Sequence, residues 1–145
     1  MGRIVGIDFG LARIGVSLSD SRKILATSLG RITVKGQISE AITELHQLLS
    51  PYKDEIELIV VGNPLHLNGG ASPMSQAASQ FKECIEKELP YKVTLWDERL
   101  TSSQAEKLLK ERALCRKKRA KLIDTVSAMI ILQSYLDAIP IASNP

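Results

Sequence analysis

Aromatic residues make up only 4% of this 145-residue chain, and it has just two cysteines. With so few rings, a partner strand is not expected to be held by stacking one base after another. Cys84 and Cys115 lie far apart and match no metal-ligand or redox spacing, so both are expected to stay reduced and pack as small apolar groups. Arg116 beside Cys115 is expected to make that thiol more reactive than most. No apolar run approaches the length of a membrane span, and the N-terminus has neither the apolar stretch nor the cleavage site of a signal peptide. The expectation is a cytoplasmic protein with no membrane partner. Repeats and low-complexity segments are also lacking. A chain of this length with 44% apolar residues is expected to form one domain over residues 1–138, followed by a disordered tail over 139–145.

Charge is present but unevenly spread. The net value is +3, yet Lys107 to Lys121 holds eight basic residues against the single acid Glu111; a segment of +7 in a chain of +3 leaves −4 for the remainder. Five of the six residues from Arg116 to Lys121 are basic, and like charges so crowded repel unless something neutralises them. A positive stripe on a slightly acidic body is the footprint expected for a phosphate-rich partner.

Along the chain, Ile4 to Ile7 reads as a buried strand ending in Gly6-Ile7-Asp8-Phe9-Gly10. Arg13 to Ser19 alternates as a half-buried strand, and Ile24 to Val34 is expected to complete an antiparallel meander of three. Ile38, Ile42, Leu45 and Leu49 recur at helical spacing until Ser50-Pro51. Ile56 to Gly62 has the continuous apolar character of a central parallel strand, and the turn-rich loop after it is expected to wall a site. Ser72-Pro73 opens a helix that Leu89-Pro90 ends, and Tyr91 to Trp96 is the fifth strand. A helix with apolar face Ala105, Leu108 and Leu109 leads into the basic stripe, where Ala113 to Lys118 is expected to be mobile. The last helix is expected over Leu122 to Leu136.

This order gives an α/β fold: a five-stranded mixed sheet, three strands antiparallel and two parallel, flanked by helices. Carboxylates stand at Asp8, at Asp97-Glu98 and at Asp124. An ionised acid at the end of a buried strand must be paired, hydrogen-bonded or metal-bound. Each has an ordinary reading as well: Asp8 could start a turn, Asp97 could pair with Arg99, and Asp124 could cap a helix beginning at Thr125. Gathered together, such oxygen ligands suit Mg²⁺ or Mn²⁺, and two ions ~3.5–4 Å apart would serve a phosphodiester displacement. Asp97 and Glu98 fall on opposite faces of a strand, so at most one of them faces Asp8.

Four stretches carry a resemblance: GIDFG with RIGVS (Asp8, Arg13), VVGNPLHLNGG (Gly62, Asn63), WDERLTS (Asp97, Glu98, Arg99) and KKRAKLIDTVSAMIILQSYLD (Asp124). In this order they resemble the YqgF (RuvX) family of the ribonuclease H-like superfamily, proteins described as Holliday-junction-resolvase-like and as nucleases maturing the small-subunit ribosomal RNA precursor. The resemblance implies a ribonuclease H-like fold and a metal-dependent nuclease using Mg²⁺ or Mn²⁺. Asp8, Glu98 and Asp124 would be the catalytic, metal-binding acids. Arg13, Asn63, Arg99, Arg116, Lys117, Lys118, Arg119 and Lys121 would bind substrate. The expected partner is structured RNA or branched DNA, met by a monomer or homodimer. Two departures stand out. Many such nucleases end the fourth strand with an acid where this chain has Gly62-Asn63-Pro64, so Glu98 must substitute; and Leu11-Ala12 makes the first loop less basic than is usual. A non-catalytic nucleic-acid-binding module on the same fold is the alternative. Asp-Phe-Gly also resembles the phosphate loop of actin-like ATPases, but those need two large domains.

Overall fold

The computed structural model describes residues 2–10, 12–63, 73–97 and 119–139, with backbone alone for 74 and 119–125. In chain order these form β1 (Arg3–Phe9), β2 (Arg13–Ser19), β3 (Ala26–Thr33), α1 (Ile38–Leu49), a 3₁₀ turn (Ser50–Tyr52), β4 (Ile56–Asn63), α2 (Pro73–Glu88), β5 (Val93–Asp97) and α3 (Arg119–Ala138). One sheet holds all five strands in the order β3-β2-β1-β4-β5. β1, β2 and β3 pair antiparallel, whereas β4 joins β1 and β5 joins β4 in parallel. The expected meander and the two helical crossovers are therefore present.

Side chains of a strand alternate between its two faces, and here each face has its own core. Val5, Ile7, Phe9, Ile59 and Val61 pack with Ala41, Ile42, Leu45 and Leu49 of α1 and with Ala78, Phe81 and Ile85 of α2. The rings of Phe9 and Phe81 stack at 4.7 Å. Ile4, Val60 and Ala26 pack with Ile131, Leu132 and Leu136 of α3 on the other face. Because β1 and β4 are covered twice, they read as unbroken apolar runs.

α3 lies almost on the backbone of β1. A Cβ built on Gly6 would stand 2.6 Å from Leu132 Cβ and 2.6 Å from Ser17 Oγ, so only glycine fits. The Ser17 hydroxyl lies between the carbonyls of Gly6 (3.2 Å) and Ala128 (2.8 Å), to which it donates. Gln133 braces the far end: its Oε1 accepts from Ala26 N at 3.0 Å, and its Nε2 donates to Ile24 O at 2.8 Å. Ile139, expected in the tail, packs against the α3 core; 140–145 lie outside the described residues.

Some element ends differ from expectation for visible reasons. β3 begins at Ala26 and leaves Ile24 and Leu25 exposed, because Asp20 Oδ1 accepts from both their N–H groups (2.8 and 3.0 Å) and holds them in the turn. Lys23 enters that turn with φ 62°, the left-handed region. α3 begins at Arg119, so Asp124 is inside the helix and the reading of it as an N-cap is corrected. Cys115 and the expected helix and mobile link over 105–118 lie outside the described residues.

The Asp20 turn yields a pH prediction. Partial burial alone would raise its pKa, but the N–H groups of Leu25, Ile24 and Asp20 itself, with the charge of Arg22, outweigh it and hold the carboxyl below its ordinary value. A folded-state pKa below the unfolded one adds stability above about pH 4, and that stability is lost as pH falls through the folded value. Asp20→Ala is expected to cost about 1 kcal/mol at pH 7. Thermal melts of both proteins should converge as the pH drops below the folded pKa; a gap equally wide at both ends would assign the cost to packing.

Candidate active site

β1, β4 and β5 run parallel and end at one edge of the sheet. Ile7 pairs with Val61, so Gly62 follows beside Asp8, and Gly62 pairs with Trp96. On the other side Asp8 pairs with Gly15, and Gly15 with Arg31. One row thus crosses the sheet as Arg31, Gly15, Asp8, Gly62, Trp96. Ile4 and Gly6 face α3, so Asp8 faces α3 as well. It is half-buried, with no side chain on either neighbour at its level. Both flanking glycines are buried, and neither places a Cβ between its backbone and whatever approaches it.

The path of α3 determines which part of it approaches this row. Ala128 and Leu132 meet Gly6, while Leu132 and Leu136 share a core with Ile4, so α3 runs antiparallel to β1. Residue 124 is one turn before Ala128 and on the same helical face. Four helical residues advance about 6 Å, and the two strand residues from Gly6 to Asp8 advance about 6.6 Å. Continued along that face, the backbone at 124 lies beyond Gly6, toward the Asp8 end of β1.

The residues singled out in the sequence are distributed unevenly. Asp97 shares its face with Val93 and Leu95 in the α1 and α2 core, opposite the face of Asp8. Asn63 pairs with Asp97 on that same opposite face, and its buried Oδ1 has no hydrogen-bond partner among the described residues. Arg13 is exposed at the start of β2, two residues before Gly15 and so on the α3 face. Arg119 and Lys121 lie in the opening of α3, where only the backbone is described. Glu98, Arg99, Arg116, Lys117 and Lys118 lie outside the described residues. Two residues of the row went unnoticed in the sequence, Arg31 and Trp96. Trp96 Nε1 donates to Ser134 Oγ at 3.2 Å and its ring meets Tyr135 edge to face.

The carboxylate of Asp8 is a hard oxygen donor of the type Mg²⁺ and Mn²⁺ take. Among the described residues no three His, Cys, Asp or Glu gather into a metal cluster; the side chains of Glu98 and Asp124 are not among those described.

A mixed sheet ordered β3-β2-β1-β4-β5, with an acid near the end of its central strand and a helix laid across it, is the framework of the ribonuclease H-like nucleases. Within that class the chain belongs to the RuvX family, described as Holliday junction resolvase, whose model it matches over residues 2–138. Similar curated proteins carry the name "Putative pre-16S rRNA nuclease": one from Protochlamydia amoebophila is 44% identical over 140 residues, covering 94% of this chain and 93% of that one. Another, from Pelotomaculum thermopropionicum, is 41% identical over 136 residues, covering 94% and 87%. Among solved structures, Thermus thermophilus RuvC in complex with a Holliday junction substrate superposes with TM-score 0.58 at 15% identity, covering 92% of each chain. A Fowlpox virus resolvase bound to Holliday junction DNA gives 0.56 at 14%, covering 94% and 97%. At such identities the likeness speaks for the fold alone. No helix among the described residues is long and apolar enough to cross a membrane.

Proposed function

We propose that this protein is a metal-dependent endonuclease that cuts structured RNA in maturing the 5′ end of the small-subunit ribosomal RNA precursor. The observation that carries the reading is the row itself: Asp8 on the α3 face between two glycines at the end of the central strand. The names of relatives at 41–44% identity favour RNA over branched DNA as substrate. Asp8, Glu98 and Asp124 would hold Mg²⁺ or Mn²⁺; Glu98 is preferred to Asp97 because Asp97 stands on the opposite face from Asp8. Ions bound there would lower the pKa of an attacking water and stabilise the leaving oxygen. The chain's own contribution is positioning: the end of β1 would hold Asp8 toward the scissile phosphodiester, and the Gly6 contact sets the height of α3 above the sheet. Purified protein should cut an RNA spanning the precursor's 5′ flank with Mg²⁺ or Mn²⁺ and spare it with chelator. Faster cutting of a four-way DNA junction would move the substrate to branched DNA, and binding of both without cleavage would leave a binding module.

The basic stripe is assigned to the sequence-independent part of binding. Replacing Arg116, Lys117, Lys118 and Arg119 by Ala should flatten the dependence of log K on log salt by roughly 0.7–0.9 for each phosphate that is no longer neutralised. An unchanged slope would remove this segment from the binding surface.

A further inference from the structure

β3 is an edge strand, and it contains one extra residue. Val16 pairs with Gly30 and Ser17 with Ser28, so Leu29 is a bulge. Its effect can be followed by face. Ala26 packs in the α3 core, and strict alternation from there would turn Arg31 toward α1. The bulge reverses the alternation: Gly30 now faces Leu48 of α1, and Arg31 faces the α3 side in the row of Asp8. Bulges at sheet edges beside active sites commonly re-aim a side chain in this way.

We propose that Arg31, together with Arg13, forms a phosphate clamp that holds the substrate backbone on the β2–β3 side of Asp8. Arg31 is exposed and stands two strand spacings from Asp8, about 9.6 Å between backbones. The residue between them is Gly15, so no side chain of β2 stands between Arg31 and Asp8 at that level. Arg13 pairs with Thr33 and is therefore the diagonal neighbour of Arg31 on the same face, about 7 Å away. Two guanidinium forks at this spacing match the oxygens of one phosphate or of two successive ones. Each arginine already has an interaction within the chain, so substrate binding exchanges partners. The clamp holds the backbone on one side of the scissile bond, while the basic stripe supplies attraction that is less localised.

This inference rests on the nucleic-acid reading, and the test separates the two. The full chain and its Arg31→Ala and Arg31→Lys variants would bind the 5′-flank RNA, intact or with one neutral methylphosphonate linkage at successive positions near the cleavage site. Arg31→Ala is expected to bind roughly tenfold more weakly, with a salt slope lower by about 0.7–0.9. One neutral linkage should weaken the wild type as much and leave Arg31→Ala unaffected, and Arg31→Lys should recover the slope but only part of the affinity. Equal penalties at every linkage for wild type and Arg31→Ala, or loss of affinity with unchanged slope alongside a lower Tm, would overturn the clamp and make Arg31 structural. A wild type that binds with the expected slope but never cuts would sink the nuclease reading without touching the clamp; one that binds no RNA or DNA would overturn both.

Discussion

Gly6→Ala is expected to lower the melting temperature by about 10 °C and to take nuclease activity down with it. The new methyl would fall 2.6 Å from Leu132 Cβ and Ser17 Oγ and 3.0 Å from the Ala128 carbonyl. None of these is the free end of a long side chain, so relief requires α3 to rise from the sheet. Overpacking of this kind costs about 1–3 kcal/mol; the entropy an alanine saves over glycine returns less than about 1 kcal/mol. Adding the hydrogen bond from Ser17 to Ala128, stretched as the helix lifts, gives a net loss near 3 kcal/mol, or roughly 10 °C for a chain of this size. The same movement takes residue 124 away from Asp8, and a misplacement of about 1 Å can cost 10²-fold in rate. Gly30→Ala is the control. Its methyl would meet the Leu48 methyls at 3.2 and 3.3 Å, with Leu48 Cγ at 3.8 Å; this side chain can turn aside, and the variant should melt within about 3 °C of wild type. Equal melts for the two variants would show that α3 is not seated on Gly6.

The contrast between Gly6 and Arg31 shows where the sequence is informative. β1 and β4 are legible because burial on both faces demands unbroken apolar runs, and α1 because one stripe recurs until Ser50-Pro51 stops it. Strand order follows from those elements and the crossovers they require. Asp8 stands out because an acid beside such a run needs a partner. Arg31 does not stand out: its face depends on an extra residue at Leu29, and nothing in Ser-Leu-Gly-Arg-Ile announces a bulge that pairing with β2 alone creates. Strand length decides Asn63 in the same way. Read as the start of a loop it can be placed anywhere near the site; as the last residue of β4 it is committed to the face opposite Asp8. The early start of α3 is invisible for another reason. Its first turn is polar and basic, and periodicity reports a helix only where one side is buried.

Asp8→Asn is expected to reduce metal-dependent cleavage by at least about 10²-fold while leaving the fold intact. The amide is nearly isosteric and keeps an acceptor oxygen, but it carries no charge to hold the proposed divalent ion. Binding linkage makes this measurable without turnover. An ion that binds only the folded protein stabilises it by about 2.7 kcal/mol at a hundredfold excess over its dissociation constant. Mg²⁺ should therefore raise the melting temperature of the wild type by roughly 8–10 °C and that of Asp8→Asn by far less. In chelator the order should reverse: the three carboxylates proposed to share the site would repel one another in the folded state, so removing one charge should raise the melting temperature of the variant. RNA binding should survive, because the phosphate contacts assigned to Arg31, Arg13 and the basic stripe do not involve this carboxylate. If Mg²⁺ shifts both proteins equally, and Asp8→Asn melts lower in chelator, then Asp8 is a structural residue, the shared metal site is wrong, and the fold serves binding without cutting.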